Sequence, residues 1–543
     1  MFIIKSRRKR PLEIGEPIRH ESHRKPVTRR DFLAQGFISG AATVIAPAGF
    51  GALLNARRAG ATLAPDIDAM KAQSDCNITS GNGKIPFICF DLAGGANIAG
   101  SNVLVGKEGG QFDFLSTQGY SKLGIPGDML PSNPTFVNTE LGLAFHADSA
   151  MLRGILEMTS AETRAGINGC VIAARSENDT GNNPHNPMYG IAKAGPDYNG
   201  AKGELLTLIG TQNSESGGNS MAPAALIDPA LRPTKIDRAS DVIGLVDTGQ
   251  LGTILGNADD TVRVLESMTR ISRDKLERVS TRLPPQEDEV TRRRAKCAYV
   301  KTADTIDRFA DRPLNPVQDP DIQSIFGTNL GNGGGELQRT AAVMKLVVEG
   351  NAGAGTITLG GYDYHTGDRA TGERRDYLAG RCIGACLEFA ARRQQPLMVY
   401  VFSDGSVSSN GRIDDSPDGG GKGEWTSDNQ STAASFFLVY NPLRLGGRPM
   451  LIGEGTSAAA RHQQLGVFSA NGDVVNSSSP AANNVNLLVQ TVILNYMALH
   501  GEAGLYNNLF GSALGTGAAL DGMIAFEPIL PASANGKVPP LSG

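Results

Sequence analysis

Residues 355–404 constrain the fold more than any other stretch, because they combine two short β-prone runs with one long helical pattern. The β-prone runs are residues 356–359 and 397–402. Between them, apolar residues recur at helical spacing, at Leu378, Cys382, Cys386 and Phe389. Two strands joined by a crossover helix are parallel. The segment therefore predicts an α/β protein with a mostly parallel sheet flanked by helices.

Both β-prone runs end in polar, glycine-flanked turns that carry aspartates. Asp363 and His365 follow the first run, and Asp404 follows the second. Ligands of open parallel sheets bind at the carboxyl ends of the strands. We therefore expect Asp363, His365 and Asp404 to converge on one edge of the sheet.

Two further apolar runs predict strands with polar turns at the same edge. Residues 85–90 form the first, which is followed by Asp91 and by a glycine-rich turn ending at Asn97. Residues 169–174 form the second, and a dense polar run, 176–187, follows it. That run either binds a ligand or is a solvated loop held by its own Asn and Asp side chains.

Other segments predict helices and loops around this sheet. Helical spacing is expected at residues 139–157, 336–349 and 485–500, and a charged helical insertion at about 257–350. Residues 405–429 are rich in Gly, Ser and Asp and predict a long loop. No internal repeat is present.

The first 61 residues differ in kind from the rest of the chain. A basic region precedes Thr28-Arg29-Arg30-Asp31-Phe32-Leu33, which has the form of a twin-arginine export motif, and an apolar run reaches Leu54. Glycine and proline interrupt that run, so it is a poor permanent membrane span. We expect residues 1–61 to be an export signal read by the twin-arginine translocase, residues 62–543 to be the mature domain, and the protein to be periplasmic or secreted.

Charge and cysteine content exclude some classes of protein. Without the first 61 residues the chain holds 39 basic and 51 acidic side chains, a net charge of −12. A chain with no basic surplus is unsuited to nucleic acid. The six cysteines include no Cys-x-x-Cys pair, which argues against a thiolate zinc site. Cys76 and Cys89 remain open as a disulfide or as two thiols.

The turn residues suit a divalent metal. In an extended segment Asp363 and His365 point to the same side, so both can reach one cation. An oxygen-rich set with one or two imidazoles fits zinc, manganese, magnesium or calcium. The alternative is that Asp363 and His365 cap a turn and bond each other.

Gly360-Gly-Tyr-Asp-Tyr-His365 resembles the Gly-Gly-aromatic-Asp-x-His motif of the exported domain of unknown function 1501 family, relatives of sulfatases and alkaline phosphatases. Weaker matches are Gly94-Gly95, Leu143-Ala-Phe-His146, Ser403-Asp404-Gly405 and Thr426-Ser-Asp428-Asn429. The resemblance implies an alkaline-phosphatase-like fold. It also implies a metal site, whose ligands would be Asp363, His365, Asp404, Asp428 and Asp91, and a nucleophile at Ser176 or Thr180. Two positions depart from the family pattern: Asn97 replaces an aspartate and Asn429 a histidine.

Two functions follow from this reasoning. The first is a metal-dependent hydrolase of phosphate or sulfate esters, acting on a small ester substrate. The second is a non-catalytic envelope protein, involved in secretion, assembly or surface binding, whose partners are other envelope proteins. The two substituted ligand positions favour the second, and the clustered Asp and His residues favour the first.

Overall fold

The computed structural model describes residues 63–72, 83–176, 183–196, 200–245, 258–278, 315–330 and 335–539, with a few isolated positions between 284 and 300. Two compact units divide the chain: residues 1–77 with 249–310, and residues 78–248 with 311–543. The predicted export signal, residues 1–61, lies outside the described residues.

The larger unit is built on an eight-stranded sheet. Its strands are β1 (Phe87–Leu92), β4 (Ile167–Ala173), β5 (Leu206–Gly210), β6 (Thr234–Lys235), β7 (Ala352–Leu359), β8 (Leu397–Ser403), β11 (Ala434–Tyr440) and β12 (Gln464–Leu465), in the order β12-β4-β11-β8-β1-β7-β5-β6. Two short ladders accompany it: β2 (Val137–Asn138) with β3 (Phe145–His146), and β9 (Val407–Asp414) with β10 (Lys422–Asp428). Only β11 runs antiparallel to its neighbours in the main sheet.

The described helices of the larger unit surround this sheet. They are α2 (Thr117–Lys122), α3 (Ala150–Met158), α4 (Ala161–Ala165), α5 (Met188–Lys193), α6 (Ala239–Gly244), α8 (Pro320–Phe326), α9 (Gly335–Val348), α10 (Ala370–Arg392), α11 (Ala459–Gln463), α12 (Val485–Leu499), α13 (Tyr506–Phe510) and α14 (Ala518–Asp521). None of the described helices is long and apolar enough to cross a membrane.

The predicted strand–helix–strand unit is confirmed. Strand β1 lies between β7 and β8 and is parallel to both, with Phe90 opposite Ile357 on one side and Val401 on the other. Helix α10 is the crossover between β7 and β8. The early strand and the two strands of the central unit are thus neighbours of one polarity, as the sequence predicts.

Two apolar cores lie on opposite faces of the sheet, since successive strand residues point to opposite sides. Phe90 and Val401 belong to one core, with helices α3, α9 and α10. Cys89 and Tyr400 belong to the other, with α5 and α12. Strands buried on both faces explain why the sequence shows continuous apolar runs rather than alternation.

Glycine allows one of these helix pairs to pack closely. A Cβ at Gly154 of α3 would lie 2.3 Å from the carbonyl oxygen of Tyr377, and one at Gly380 of α10 would lie 2.0 Å from that of Met151. Real Cβ atoms do not approach oxygen so closely. The backbones of α3 and α10 are therefore in direct contact, which accounts for part of the high glycine content.

In the smaller unit, helix α1 (Pro65–Ala72) contacts helix α7 (Ala258–Arg278). Arg270 forms a bidentate ion pair with Asp66, with both N–O distances 2.7 Å. The N–H of Ala64 donates to Glu266. Helix α7 provides the helical segment predicted near residue 257, whereas α9, inside the predicted insertion range of 257–350, belongs to the core of the larger unit.

Two local predictions differ from the structure. The loop expected at 405–429 contains the β9–β10 hairpin, whose buried Trp425 lies under the Arg369 guanidinium at 4.6 Å. The helix expected at 139–157 begins only at Ala150, after β3. Cys89, which the sequence left open between a disulfide and a thiol, is a free, buried thiol inside β1, and Cys76 lies outside the described residues. Sparse apolar residues hid the hairpin, whose buried apolar side chains are Val407 and Trp425.

Candidate functional site

The turn after β1 brings two of the predicted site residues together. Gly94 donates its N–H to Oδ1 of Asp404 at 2.9 Å. Its φ is +119°, and a Cβ there would lie 2.7 Å from the backbone N of Asp363. Only glycine fits such a position without strain. The carboxylate of Asp404 and the backbone of Asp363 thus meet at Gly94.

His365 lies between two carboxylates at the same edge. Its Nε2 is 2.9 Å from Oδ1 of Asp363 and 3.7 Å from Oδ2 of Asp428. The side chains are 31% exposed for His365, 73% for Asp363 and 47% for Asp428. Residues 363, 365 and 428 therefore form one solvent-facing cluster, in which Asp363 and His365 contact each other directly, the arrangement that the sequence analysis gave as the alternative to metal binding.

Asp91 is buried at the carboxyl end of β1 and is held by a loop that follows β5. Oδ2 accepts the N–H groups of Asn219 at 2.6 Å and Ser220 at 2.9 Å, and Oδ1 accepts the Ser220 hydroxyl at 2.9 Å. Burial raises the pKa of Asp91, while these hydrogen bonds act in the opposite direction. Both carboxylate oxygens are thus engaged by the protein itself.

Asn219 links the two buried aspartates. Its backbone N–H donates to Oδ2 of Asp91, and its Nδ2 donates to Oδ2 of Asp404 at 3.4 Å. The amide of Asn183 donates to the backbone oxygen of Asp404 at 2.5 Å. Asn219 therefore connects Asp91 to Asp404, and Gly94 connects Asp404 to the backbone of Asp363.

The two predicted nucleophiles differ in what the structure describes of them. Ser176 is buried after β4, its N–H donates to the Gln430 oxygen at 3.3 Å, and its hydroxyl has no hydrogen-bond partner among the described residues. Thr180 lies outside the described residues. His185 follows shortly after residues 177–182, which lie outside the described residues. Its ring stacks on Phe402 at 5.9 Å, and burial lowers its pKa to about 4.

Asn97, which replaces the family's aspartate, is buried. Its N–H donates to the Tyr364 hydroxyl at 3.1 Å, and its Oδ1 accepts the Ser101 hydroxyl at 2.9 Å. Its Nδ2 has no hydrogen-bond partner among the described residues.

The predicted metal ligands do not come together as one centre. Among the described residues, no group of three or more His, Cys, Asp or Glu side chains is arranged to hold a metal ion. The five predicted ligands divide into the exposed cluster at 363, 365 and 428 and the two buried aspartates, whose oxygens accept hydrogen bonds from Gly94, Asn219 and Ser220. As folded, these five residues do not form one metal site.

Sequence reasoning missed the loop that organises the buried half of the site. Residues 211–220 are polar and glycine-rich, and they follow β5, a run of only five residues. They carry the same signature, a short apolar run followed by a polar turn, that pointed to residues 363–365 and 404. Strand β5 is less buried than the predicted strands, since only three of its five residues lie in the core, and its apolar run was therefore less distinct.

Comparisons with known proteins add no relative: no protein-family model, no curated protein and no solved structure matches the chain. The site therefore has to be interpreted from its own geometry.

Proposed function

We propose that this chain is an exported envelope protein with an alkaline-phosphatase-like α/β fold that acts by binding a partner rather than by metal-dependent hydrolysis. The exposed cluster of Asp363, His365 and Asp428 is the proposed centre of the binding surface. Export through the twin-arginine translocase and a periplasmic or secreted location are parts of this proposal, supported by the motif at residues 28–33.

One observation carries the proposal: hydrogen bonds from within the protein already engage the buried carboxylates that a two-metal hydrolase would use. Asp91 accepts three hydrogen bonds from Asn219 and Ser220. Asp404 accepts from Gly94 and Asn219. Hydrogen bonds of this kind order loops, and a metal that bound Oδ2 of Asp91 would compete for its lone pairs with the N–H groups of Asn219 and Ser220.

The hydrolase alternative has one observation in its favour. His365 lies within 4 Å of two carboxylates at the edge where α/β enzymes place their catalytic groups. Ser176 supplies a buried hydroxyl without a partner among the described residues. A hydrolase built on these groups would require a divalent metal, so metal content separates the two functions.

The test uses the mature chain, residues 62–543. The protein is incubated with zinc, manganese, magnesium and calcium, desalted, and analysed by mass spectrometry for bound metal. Turnover of p-nitrophenyl phosphate and p-nitrophenyl sulfate is then measured. We expect substoichiometric metal and no turnover above that of His365→Ala. His462→Gln is the matched control, since this half-buried histidine bonds the Ile524 carbonyl outside the cluster.

One metal ion per chain that is lost in His365→Ala but kept in His462→Gln would overturn the binding proposal in favour of the hydrolase. Export is tested separately by changing Arg29 and Arg30 to lysine. The expected result is retention in the cytoplasm, and normal delivery to the periplasm would refute the export assignment alone.

A further inference from the structure

A second polar cluster contacts the 360–365 loop, and it is distinct from the carboxylates of the candidate site. Asn102 is at its centre: its Nδ2 donates to the backbone oxygen of Asn97 at 2.8 Å and to Oδ2 of Asp376 at 2.7 Å. The Tyr364 hydroxyl accepts the Asn97 N–H at 3.1 Å. All four residues are buried. The cluster thus joins the turn after β1, the 360–365 loop and helix α10.

The hydrogen bonding of this cluster is incomplete. Oδ1 of Asp376 and Nδ2 of Asn97 are buried, and neither has a hydrogen-bond partner among the described residues. An ionised carboxylate only accepts hydrogen bonds, whereas the protonated acid also donates one. Burying an ionised oxygen without a donor is costly. Asp376 therefore differs from Asp91, both of whose oxygens accept hydrogen bonds.

The charged neighbours of Asp376 do not remove this cost, because another carboxylate binds them. Glu373 accepts from Arg369 at 2.7 Å through Oε1 and from Lys422 at 2.8 Å through Oε2. Arg369 and Lys422 act to lower the pKa of Asp376, and Glu373 acts to raise it. Burial is the largest effect, and it raises the pKa of Asp376 to about 7.

Four other titratable groups near the cluster, Tyr362, Tyr364, Cys382 and His146, stay in one form near neutral pH. Burial raises the pKa of Tyr362 and Tyr364 well above their usual range, so both remain phenols. Burial also raises the pKa of the Cys382 thiol to about 12. His146, which faces Arg369 and Lys422 from β3, has a pKa lowered by burial and is neutral.

We propose that Asp376 is a proton-operated switch that determines how firmly the 360–365 loop is held at the carboxyl edge of the sheet. When the pH falls, Oδ1 takes up a proton from solvent and the buried charge disappears. When the pH rises, the proton leaves and an unpaired anion remains beside Tyr364. Because Tyr364 lies between Asp363 and His365 in the chain, loosening it disturbs the exposed cluster.

The direction of the effect follows from linkage. The folded chain binds the Asp376 proton more tightly than the unfolded chain, in which the carboxyl has its ordinary pKa of 3.8. The stabilisation by this group is full below that value and is lost as pH rises through about 7. Protection of the loop should therefore be greatest in mild acid and should fall above neutrality.

Hydrogen exchange measures this directly. Peptides covering residues 360–365 are followed in the mature protein between about pH 6 and about pH 8, after correction for the intrinsic exchange rate. We expect loop protection in the wild type to fall about tenfold over this range. A tenfold change corresponds to roughly one pKa unit of coupling between ionisation of Asp376 and opening of the loop. Asp376→Asn keeps an oxygen that accepts from Asn102 but cannot ionise. Loop protection in this variant should therefore not change with pH and should equal that of the wild type in mild acid. Asp418→Asn, an exposed carboxylate near α10, should behave like the wild type.

A second measurement keeps the proposal testable if Asp376→Asn fails to fold. Infrared difference spectra of the wild type should show a band of protonated carboxylic acid in mild acid that decreases as the pH rises through neutrality. Absence of that band, loop protection that does not change with pH, or a pH-dependent loss that persists in Asp376→Asn would each overturn the switch.

Discussion

The two ends of strand β1 both bury polar groups, but they are built in opposite ways. At the amino end, the N–H of Ile85 donates to Nε2 of His500 at 2.9 Å, and the carbonyl of Ile85 accepts the Tyr496 hydroxyl at 3.0 Å. Nδ1 of His500 forms a third hydrogen bond, with the carbonyl oxygen of Tyr496 at 2.6 Å. Each group here has a defined partner, and helix α12 with the residue after it supplies both side chains.

At the carboxyl end of β1, the hydrogen-bond partners come from distant loops, and some buried polar atoms have no partner among the described residues. The loops at 91–97, 211–220, 360–365 and 404–406 meet there. The Ser176 hydroxyl and Nδ1 of His185, at either side of the 177–182 gap, have no hydrogen-bond partner among the described residues. The amino end is therefore closed, with its polar groups paired to α12 and His500, whereas the carboxyl end is open and carries the exposed carboxylates and His365.

The largest effect is expected at the buried aspartate of the open end. Asp91→Ala leaves two backbone N–H groups and a hydroxyl without an acceptor, and should lower the free energy of unfolding by about 4 kcal/mol. Urea unfolding followed by circular dichroism measures the change, with Asp418→Ala as an exposed carboxylate control. A loss comparable to that of the control would show that Asp91 does not organise this end.

The closed end should respond to acid through His500. Burial, together with the positive charge of Lys84, lowers the pKa of His500 to about 3, and protonation of Nε2 would break the hydrogen bond from Ile85. Its stabilisation is present above about pH 6.5 and is lost as the pH falls toward 3, by about 3 kcal/mol at pH 4. His500→Gln does not titrate, so the stability difference between wild type and variant should shrink on acidification. A difference independent of pH would contradict this assignment.

A smaller effect is expected at the glycine that joins the two halves of the open end. Gly94→Ala places a Cβ 2.7 Å from the Asp363 nitrogen at a φ of +119°. The strain should cost about 2 kcal/mol and release Asp404 from its backbone donor. Gly360→Ala, with open space around its Cβ and no positive φ, is the matched control. Equal stability of the two variants in thermal unfolding would rule out this role for Gly94.

The smallest effect on stability is expected at the exposed cluster. His365→Ala should change the free energy of unfolding by no more than about 0.5 kcal/mol, because solvent screens its contacts with Asp363 and Asp428. Calorimetry of the variant checks this value. A loss of several kcal/mol would mean that the cluster is part of the scaffold and not a binding surface.

Part of the site could be predicted from sequence because strand ends have a local signature. Continuous apolar runs followed by polar, glycine-flanked turns marked Asp363, His365, Asp404 and Asp91. The partners of the two buried aspartates could not be found in this way. Asn219 lies 128 residues from Asp91 and 185 from Asp404, and only the placement of β5 beside β7 brings it to them.

The sequence by itself determined the α/β class, the parallel pairing around β1 and the polar character of one sheet edge, since apolar periodicity and turn chemistry are local properties. Tertiary structure alone decided which carboxylates are satisfied and which are exposed. Asp91 and Asp363 both follow apolar runs, yet one accepts three buried hydrogen bonds and the other faces solvent. That difference depends on donors from remote loops, whose position is fixed only when the sheet and its two cores have formed.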